Sequence, residues 1–309
     1  MKTAIVSGAN GFIGSALVRE LLEHDYKIYA LCRENSCENI PHVDRIEIVF
    51  CDLSKIQQLK EMIPKSSYSC FYHLAWKGVA DSSRDCLELQ IKNVQQTINA
   101  LRTAKKIGCR RFVGAGSIME YEALAGMLVQ GSYPGRGDIY GGAKLLAHIM
   151  CKALAAQVGI ELLWAEVTNA YGPGEKSPRL VNTTIRKCLR GEAPEFTAGT
   201  QNYDFVYIDD VARAFRLIGE KGRPFHKYTV GSSAARPLRE FLVEMQRAVA
   251  PDLPFKFGSI PFTGVGLPLS AFDCYDTECD TGFRAEIDFE EGCKLTAGWI
   301  KTGKSVDLF

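Results

Sequence analysis

The stretch TAIVSGANGFIG, residues 3–14, decides the fold. Its first five residues predict a buried parallel strand, and the helix pattern that follows places Leu17, Leu21 and Leu22 on one face. A second apolar strand is predicted over residues 28–32, which completes a βαβ unit of about thirty residues. Because the glycines let backbone amides at the helix N-terminus approach a pyrophosphate, the unit predicts a dinucleotide site.

The end of the second strand bears on the choice of cofactor. An acidic residue there would bind the adenosine ribose hydroxyls and select NAD. Cys32 occupies the position and Arg33 follows it, and a guanidinium suits a 2′-phosphate. Glu34 is adjacent and could serve the ribose instead. We therefore expect NADP and leave NAD open.

Strand and helix patterns continue to alternate along the chain. Further strands are predicted over 45–50, 69–74, 111–114 and 161–167, with a long helix over 86–107. Such alternation indicates an α/β fold, a Rossmann-type doubly wound parallel sheet covered by helices on both faces. Ligands of such sheets bind beyond the carboxyl ends of the strands.

After Tyr171, loops rich in Pro and Gly alternate with short helices. We expect a dinucleotide-binding Rossmann domain over residues 1–171, to which 204–235 returns. A smaller, discontinuous C-terminal substrate-binding domain is expected over 172–203 and 236–309. It would form a cap on the first domain.

Composition excludes several classes of function. The chain has 309 residues, 46% hydrophobic and 24% charged, as in an ordinary globular protein. A net charge of +1 gives no electrostatic case for nucleic acid or an anionic membrane. No long apolar run predicts a membrane span. Eleven scattered cysteines without C-x-x-C suit a reduced cytoplasmic interior, and five dispersed histidines predict no metal site.

Tyr140 and Lys144 are the first candidates for catalysis. On a helix, residues four apart lie on one face, roughly 6 Å from each other. An ammonium beside a phenol favours the phenolate, which lets the phenol exchange protons near neutral pH. Asp138 is a plausible N-cap for this helix and Gly159 a plausible stop.

Several motifs together resemble a known family. The chain is similar to an extended short-chain dehydrogenase/reductase of the NAD-dependent epimerase/dehydratase type, well over about residues 1–235 and loosely beyond. The matching pieces are Gly8-x-x-Gly11-x-x-Gly14, Asp52-Leu53, His73-Leu74-Ala75, Asn93-Val94-x-x-Thr97, Ser117, Tyr140-x-x-x-Lys144, Asn169-Ala170-Tyr171-Gly172-Pro173 and Asp204–Val211.

The resemblance implies roles for residues of this chain. Tyr140 would give or take the proton, Lys144 would hold the nicotinamide ribose and lower the pKa of Tyr140, and Ser117 would hydrogen-bond the reacting oxygen. A hydroxyl and an acidic phenol can stabilise the negative charge that builds on a carbonyl oxygen. Gly141 would allow close approach of the cofactor. The helices at 86–107 and 140–157 would form a homodimer.

Two sets of binding residues follow. The cofactor is expected to contact Gly8, Asn10, Gly11, Phe12, Ile13, Gly14, Arg33, Asp52, Leu53, Leu74, Ala75, Trp76, Asn93, Tyr140, Lys144 and Thr168. The substrate is expected to contact Ser117, Met119, Asn169, Arg179 and Tyr203.

Departures from the family narrow the chemistry. Dehydratases of the family resemble one another in an Asp-Glu pair after the serine position, where this chain has Ile118 and Met119. Relatives that epimerise carbons beside the keto group carry a further acid or base there, which Met119 and Glu120 do not obviously supply. Tyr140 is then the only evident proton-transfer group, and we expect redox chemistry at one carbon.

Other departures concern the substrate. Relatives that use sugar nucleotides usually carry arginine where this chain has Tyr203, and often arginine at Glu166. A diphosphate would then need other cations, for which Lys176, Arg179, Arg186 and Arg236 are available. A substrate with fewer charges stays open.

Four hypotheses remain. The leading one is NADPH-dependent reduction of a keto group, the 4-keto carbon of a nucleotide-activated deoxy sugar. The alternatives are a nucleotide-sugar 4-epimerase with tightly bound NAD, an NADPH-dependent reductase of a small ketone or aldehyde, and a non-catalytic dinucleotide sensor.

Overall fold

A computed structural model describes residues 1–128 and 138–303. In chain order its strands are β1 (Lys2–Ser7), β2 (Tyr26–Cys32), β3 (Ile46–Phe50), β4 (Tyr68–His73), β5 (Cys109–Ser117), β6 (Glu161–Val167), β7 (Ala170–Tyr171), β8 (Glu195–Phe196), β9 (Asn202–Tyr203), β10 (Val206–Tyr207), β11 (His226–Val230), β12 (Arg236–Pro237) and β13 (Lys256–Phe257).

The α-helices follow the same order along the chain. They are α1 (Phe12–Glu23), α2 (Leu59–Met62), α3 (Leu87–Ile107), α4 (Met119–Leu128), α5 (Asp138–Val158), α6 (Leu180–Leu189), α7 (Ile208–Lys221), α8 (Leu238–Val249), α9 (Tyr275–Thr281) and α10 (Phe289–Thr302). Short 3₁₀ segments lie at Leu53–Gln58, Asp81–Asp85 and Leu269–Phe272.

Seven parallel strands form the central sheet, in the order β11-β6-β5-β4-β1-β2-β3. The order reverses between β1 and β4, which pair from Ala4 with Cys70 to Ser7 with His73. A crevice opens at such a reversal, beyond the carboxyl ends of the strands. The predicted Rossmann-type fold is therefore confirmed.

Apolar side chains cover both faces of the sheet. One buried cluster includes Leu17 and Leu21 of α1 with Phe215 of α7. The cluster on the other face includes Leu101 of α3 and Ala147 of α5. Two helices on each face explain why the strands are apolar on both sides rather than alternating.

A third apolar cluster joins α6, α8 and α10 around three aromatic rings. Phe205 lies 5.1 Å from Phe241 and 5.2 Å from Phe289, measured between ring centroids. The Asp210 carboxylate of α7 accepts hydrogen bonds from the backbone amides of Glu286 and Ile287, which ties this region to the sheet. The two domain boundaries stay a prediction.

Strand β5 is longer than expected, and helix α4 directly after it was not predicted. The expected strand, residues 111–114, included Gly114 and ended before Gly116, and a glycine weakens a strand in isolation. In the fold, a Cβ atom at Gly114 or Gly116 would overlap the ring of Trp164 on β6. These glycines therefore admit the indole against the sheet rather than end the strand.

None of the helices within residues 1–128 and 138–303 has the length and apolar character needed to cross a membrane.

Candidate active site

The glycine loop between β1 and α1 is shaped for close backbone approach. Gly8 has φ +71°, and a Cβ atom there would lie 2.7 Å from the backbone nitrogen of Ala75. A Cβ atom at Gly14 would overlap the carbonyl oxygen of Gly8. Gly14 thus serves helix packing, and Gly8 lets the loop lie against the end of β4.

The N-terminus of α1 is open toward a ligand. Its N-cap is Gly11, and neither a side-chain cap nor an acidic residue occupies the first turn. Free amides and the positive end of the helix dipole form a site for an anion. The dinucleotide pyrophosphate fits this end of the helix.

A cavity of about 700 Å³ lies at the sheet edge beside this loop. Nine of the predicted cofactor residues line it: Gly8, Asn10, Gly11, Arg33, Asp52, Leu53, Leu74, Ala75 and Trp76. Arg33 is exposed, and Glu34 and Ser36 line the cavity with it. A guanidinium, a carboxylate and a hydroxyl therefore meet at one end of the cavity.

Asn10 and Asn93 have their amides bonded to protein. Asn10 donates to Ser36 Oγ at 3.1 Å and accepts from the backbone of Asn39 at 2.8 Å. Asn93 both accepts from and donates to the backbone of Lys77, at 3.1 and 2.7 Å. The structure thus gives both a positioning role on the loops around the cavity, and Asn93, like Gly14, lines neither this cavity nor the next.

A second cavity of about 350 Å³ adjoins the first, and Leu74 and Trp76 line both. It collects all the predicted catalytic and substrate residues and, apart from Gly14 and Asn93, the remaining cofactor residues. These are Ser117, Tyr140, Lys144, Met119, Asn169, Arg179, Tyr203, Phe12, Ile13 and Thr168. Residues far apart in the sequence, from Phe12 to Tyr203, therefore converge where the strand order reverses.

Tyr140 is buried, and the Ser117 side chain acts on the pKa of its phenol. Burial raises the pKa of Tyr140, while Arg179, the Ser117 hydrogen bond and Arg84 act in the opposite direction. The guanidinium carbon of Arg84 lies 4.8 Å from the centre of the phenol ring. Burial is the largest of these effects, so the pKa of Tyr140 is raised, and the expected lowering of this pKa by Lys144 stays a prediction.

Lys144 is also buried. Its Nζ donates to the carbonyl of Ala115 at 2.8 Å and lies 3.8 Å from the centre of the Trp76 ring. Burial lowers the pKa of Lys144 to about 7, with Arg179 adding to the effect and Glu120 opposing it. The ammonium therefore gains and loses its proton near neutrality.

Glu120 stabilises the backbone at Ser117 through its buried carboxylate. Its carboxylate is 2% exposed and accepts from the Ser117 amide and from Trp164 Nε1, each at 3.0 Å. His148 Nδ1 lies 3.1 Å from the same carboxylate, and its ring stacks on Trp164. Glu120 is thus a positioning residue, bonded on the side away from the cavity.

Helix α4 also explains Gly141. A Cβ atom there would overlap the carbonyl oxygen of Met119. The close approach seen at this glycine is made by α4, and the expected approach of the cofactor stays a prediction.

Two functional candidates were missed from the sequence. Arg84 lies in the 3₁₀ segment Asp81–Asp85, and Glu122 lies one helical turn after Met119. Both line the cavity of Tyr140. The spacing from Met119 to Glu122 was the available signal for Glu122, once a helix is known to begin there.

Of the four cations proposed for a diphosphate, only Arg179 lines the catalytic cavity. Its Nε lies 3.3 Å from a carboxylate oxygen of Glu175. Arg186 donates to the backbone of Glu175 at 2.6 Å, and Arg236 pairs with Glu244. Lys176 does not line the cavity.

Two polar residues of the matching motifs have structural partners. His73 is buried between Ser7 Oγ at 2.8 Å and Thr97 Oγ1 at 3.2 Å, and burial lowers its pKa to about 3. Asp204 is buried and accepts hydrogen bonds from the Thr168 hydroxyl at 3.0 Å and from Ser232. Thr168 thus reaches the cavity with its hydroxyl already bonded.

The chain is similar to curated proteins over nearly its whole length. One is the trifunctional UDP-glucose 4,6-dehydratase/UDP-4-keto-6-deoxy-D-glucose 3,5-epimerase/UDP-4-keto-L-rhamnose-reductase of Arabidopsis thaliana, 23% identical over 96% of the chain. The chain spans 47% of that relative. Another is the dTDP-glucose 4,6-dehydratase of Haemophilus influenzae, 24% identical over 97% of the chain and 98% of the relative.

Solved structures show the same fold. The UDP-N-acetylglucosamine 4-epimerase of Methanobrevibacter ruminantium superposes with a TM-score of 0.82 at 21% identity, covering 98% of this chain and 99% of the other. The model of the NAD dependent epimerase/dehydratase family matches residues 4–231. The chain therefore belongs to this family of enzymes, which are of the extended short-chain dehydrogenase/reductase type.

Proposed function

We propose that this chain reduces a keto group with NADPH, at the 4-keto carbon of a nucleotide-activated deoxy sugar. The observation that carries the proposal is the convergence of Ser117, Tyr140 and Lys144 in one cavity. That cavity shares Leu74 and Trp76 with the larger cavity beside the glycine loop. A carbonyl bound against Tyr140 would thus lie next to a nicotinamide.

The reaction follows from these side chains. A nicotinamide nucleotide in the larger cavity would supply a hydride to the carbonyl carbon. Ser117 donates a hydrogen bond to the carbonyl oxygen, and Tyr140 gives that oxygen its phenolic proton. Because burial raises the pKa of Tyr140, the phenol carries its proton at neutral pH, which favours a donor role. Lys144, with a pKa near 7, is placed to restore the proton.

Two arginines support a substrate that carries negative charge. Arg84 and Arg179 both line the catalytic cavity. The Nε atom of Arg84 is buried without a hydrogen-bond partner among the described residues, whereas the Nε atom of Arg179 lies 3.3 Å from a carboxylate oxygen of Glu175. A buried donor without a partner is costly, so an anion from the substrate would stabilise Arg84. The named relatives act on UDP and dTDP sugars, which supply a diphosphate.

NADPH is proposed because Arg33 and Ser36 lie together on the lining of the larger cavity. Arg33→Asp should lower kcat/KM for NADPH by about 10- to 100-fold, since a charge-assisted interaction with a phosphate is lost. Activity with NADH should be kept, and Arg33→Lys should retain most of the preference. An unchanged preference in the aspartate variant would mean that Arg33 does not bind the 2′-phosphate.

A nucleotide-sugar 4-epimerase with bound NAD is the second candidate, supported by the epimerases among the solved structures. It predicts NAD that remains with the protein after dialysis, whereas the reductase must exchange its cofactor. A small ketone without charge would leave both cavity arginines unused. A non-catalytic sensor would have no need of Ser117, Tyr140 and Lys144 together.

The central experiment is a thermal-shift screen of UDP, dTDP, CDP and GDP sugars in the presence of NADPH. Hits are followed by loss of NADPH absorbance with UDP-4-keto-6-deoxy-D-glucose as the probe ketone. We expect stabilisation by a nucleotide sugar and oxidation of NADPH by its keto form. Stabilisation by small ketones but by none of the nucleotide sugars would overturn the substrate class.

A homodimer through α3 and α5 belongs to the same proposal. Apolar side chains point to solvent from both helices, Ile91 and Leu87 from α3 and Leu146, Ile149 and Met150 from α5. Ile91 and Ile149 are 56% and 57% exposed. Apolar residues on neighbouring helix faces are typical of a surface that a second subunit covers.

A further inference from the structure

The first turn of α4 brings a carboxylate to the catalytic cavity. Residues three apart on a helix lie on one side of it. Met119 and Glu122 have this spacing, and both line the cavity that contains Ser117 and Tyr140. Glu120, between them, points to Trp164 and His148 on the other side. The helix therefore separates a structural glutamate from one that faces the ligand.

The surroundings of Glu122 suit a proton acceptor that works near neutrality. Burial raises the pKa of Glu122 to about 7, Asp138 of α5 acts in the same direction, and Arg84 acts against it. Tyr203 lies near it on β9, where Glu122 raises the pKa of that phenol. A group half ionised near pH 7 can take up a proton and release it at low cost.

We propose that Glu122 is a second proton-transfer residue, which removes a proton from the carbon next to the keto group of the bound sugar. This rests on the proposed function, because it needs a ketone held by Ser117 and Tyr140. The chain would then catalyse enolisation of its keto substrate in addition to reduction.

The step is a balanced proton transfer. One oxygen of the Glu122 carboxylate takes the proton from the carbon beside the carbonyl. The electrons of that C–H bond form a carbon–carbon double bond, and the carbonyl electrons move onto oxygen. Hydrogen bonds from Ser117 and Tyr140 stabilise the enolate oxygen, as they stabilise the charge that builds during reduction. Glu122 then returns a proton to the carbon, and no oxidant or reductant is consumed.

Arg84 has a role of its own in the cavity besides its electrostatic effect on the Glu122 carboxylate. Its Nε is buried and makes no hydrogen bond within residues 1–128 and 138–303, and its guanidinium lies over the ring of Tyr140. Arg84 is thus placed to bind the substrate, and its charge also stabilises the ionised form of Glu122.

The test uses the full chain with UDP-4-keto-6-deoxy-D-glucose and NAD⁺ in D₂O. Without a reduced cofactor the ketone persists, and deuterium entering beside the carbonyl is followed by proton NMR. Reduction of the same ketone with NADPH is measured separately. The variants are Glu122→Gln and Glu122→Asp, and the control is Glu88→Gln, since Glu88 is an exposed glutamate in the first turn of α3.

We expect the wild type to exchange deuterium at least about 100-fold faster than buffer, as a general base contributes about 10² to 10⁴. Glu122→Gln should lower this exchange at least about tenfold more than it lowers reduction, Glu122→Asp should keep part of the exchange, and Glu88→Gln should match the wild type in both rates.

Two results overturn the inference and leave the reductase intact: wild type that reduces the ketone without exchange, or Glu122→Gln that exchanges as fast as wild type. Proportional loss of both rates in Glu122→Gln would make it a substrate-binding residue and also overturn the inference. A wild type that neither binds nor reduces any of the nucleotide-linked ketones removes the proposed function, and this inference with it.

Discussion

Replacing Glu120 by leucine should destabilise the protein strongly, while glutamine should be tolerated. The carboxylate accepts hydrogen bonds from the Ser117 amide and Trp164 Nε1, and His148 Nδ1 is its third neighbour. Leucine has a similar volume but no acceptor. The Ser117 and Trp164 donors would stay buried without partners, because Glu120 and Trp164 are only 2% and 1% exposed.

The size of the effect follows from the number of orphaned donors. Each buried donor that loses its partner costs about 1–3 kcal/mol, so two of them predict a loss of about 2–6 kcal/mol for Glu120→Leu. Glutamine keeps one acceptor oxygen for Ser117 and Trp164, and its NH₂ group can donate to His148 Nδ1 in the other tautomer. Glu120→Gln should therefore cost about 1 kcal/mol or less.

Urea unfolding of the ligand-free protein measures these differences. Glu88→Leu is the matched control, since that glutamate is exposed in a first helical turn, and it should change the free energy of unfolding by no more than about 1 kcal/mol. The leucine variant should also reduce turnover, because the backbone at Ser117 loses its support. Equal stability of the leucine and glutamine variants would refute the reasoning.

Three further predictions concern the site and the surface. Tyr140→Phe should lower turnover by about 10² to 10⁴ without weakening cofactor binding, measured by quenching of protein fluorescence; full turnover would remove Tyr140 from proton transfer. Burial lowers the pKa of Lys144 to about 7, so the unfolded chain binds more protons above that pH. The free energy of unfolding of wild type relative to Lys144→Met should hence rise between about pH 7 and 10, as urea titrations can show, and a flat difference would contradict the pKa. Ile149→Glu should convert a dimer to a folded monomer in light scattering coupled to size-exclusion chromatography, and a monomeric wild type would exclude the interface.

The fold was predictable because its signals are local. The glycine loop decides one βαβ unit, and each later strand is a short apolar run whose partner in the sheet follows from the alternation with helices. The ends of β5 were not predictable for a physical reason. The predicted strand ended at Gly114, whereas in the fold Trp164, some fifty residues later, fills the space above both Gly114 and Gly116.

The site was predictable where a fixed spacing carries the chemistry. Two such spacings are the four residues from Tyr140 to Lys144 and the glycine pattern that begins at Gly8. Arg84 was out of reach, because the 3₁₀ segment around it has no apolar period, and only the tertiary fold brings it to Tyr140. The same holds for Glu120, whose role depends on Trp164 and His148 far along the chain.

Helix α4 gives the active site a second candidate for proton transfer, which the sequence did not indicate. The absence of an acid at Ile118 and Met119 left Tyr140 as the only evident proton-transfer group. In a helix, however, a residue three positions further along the chain lies on the same side as the first. Glu122 returns to within about 60° of Met119 around the helix axis and lies about 4.5 Å further along it.

The Glu122 carboxylate thus lines the same cavity as the Met119 side chain. It lies one helical turn further along α4. Met119 lines the same cavity as Ser117 with an apolar side chain. The acid for a neighbouring carbon is then one turn away. In the proposed reduction Tyr140 gives its proton to the carbonyl oxygen, whereas enolisation needs a base that acts on a neighbouring carbon. Separation of Tyr140 on α5 from Glu122 on α4 meets that requirement, because each group approaches the substrate from its own helix.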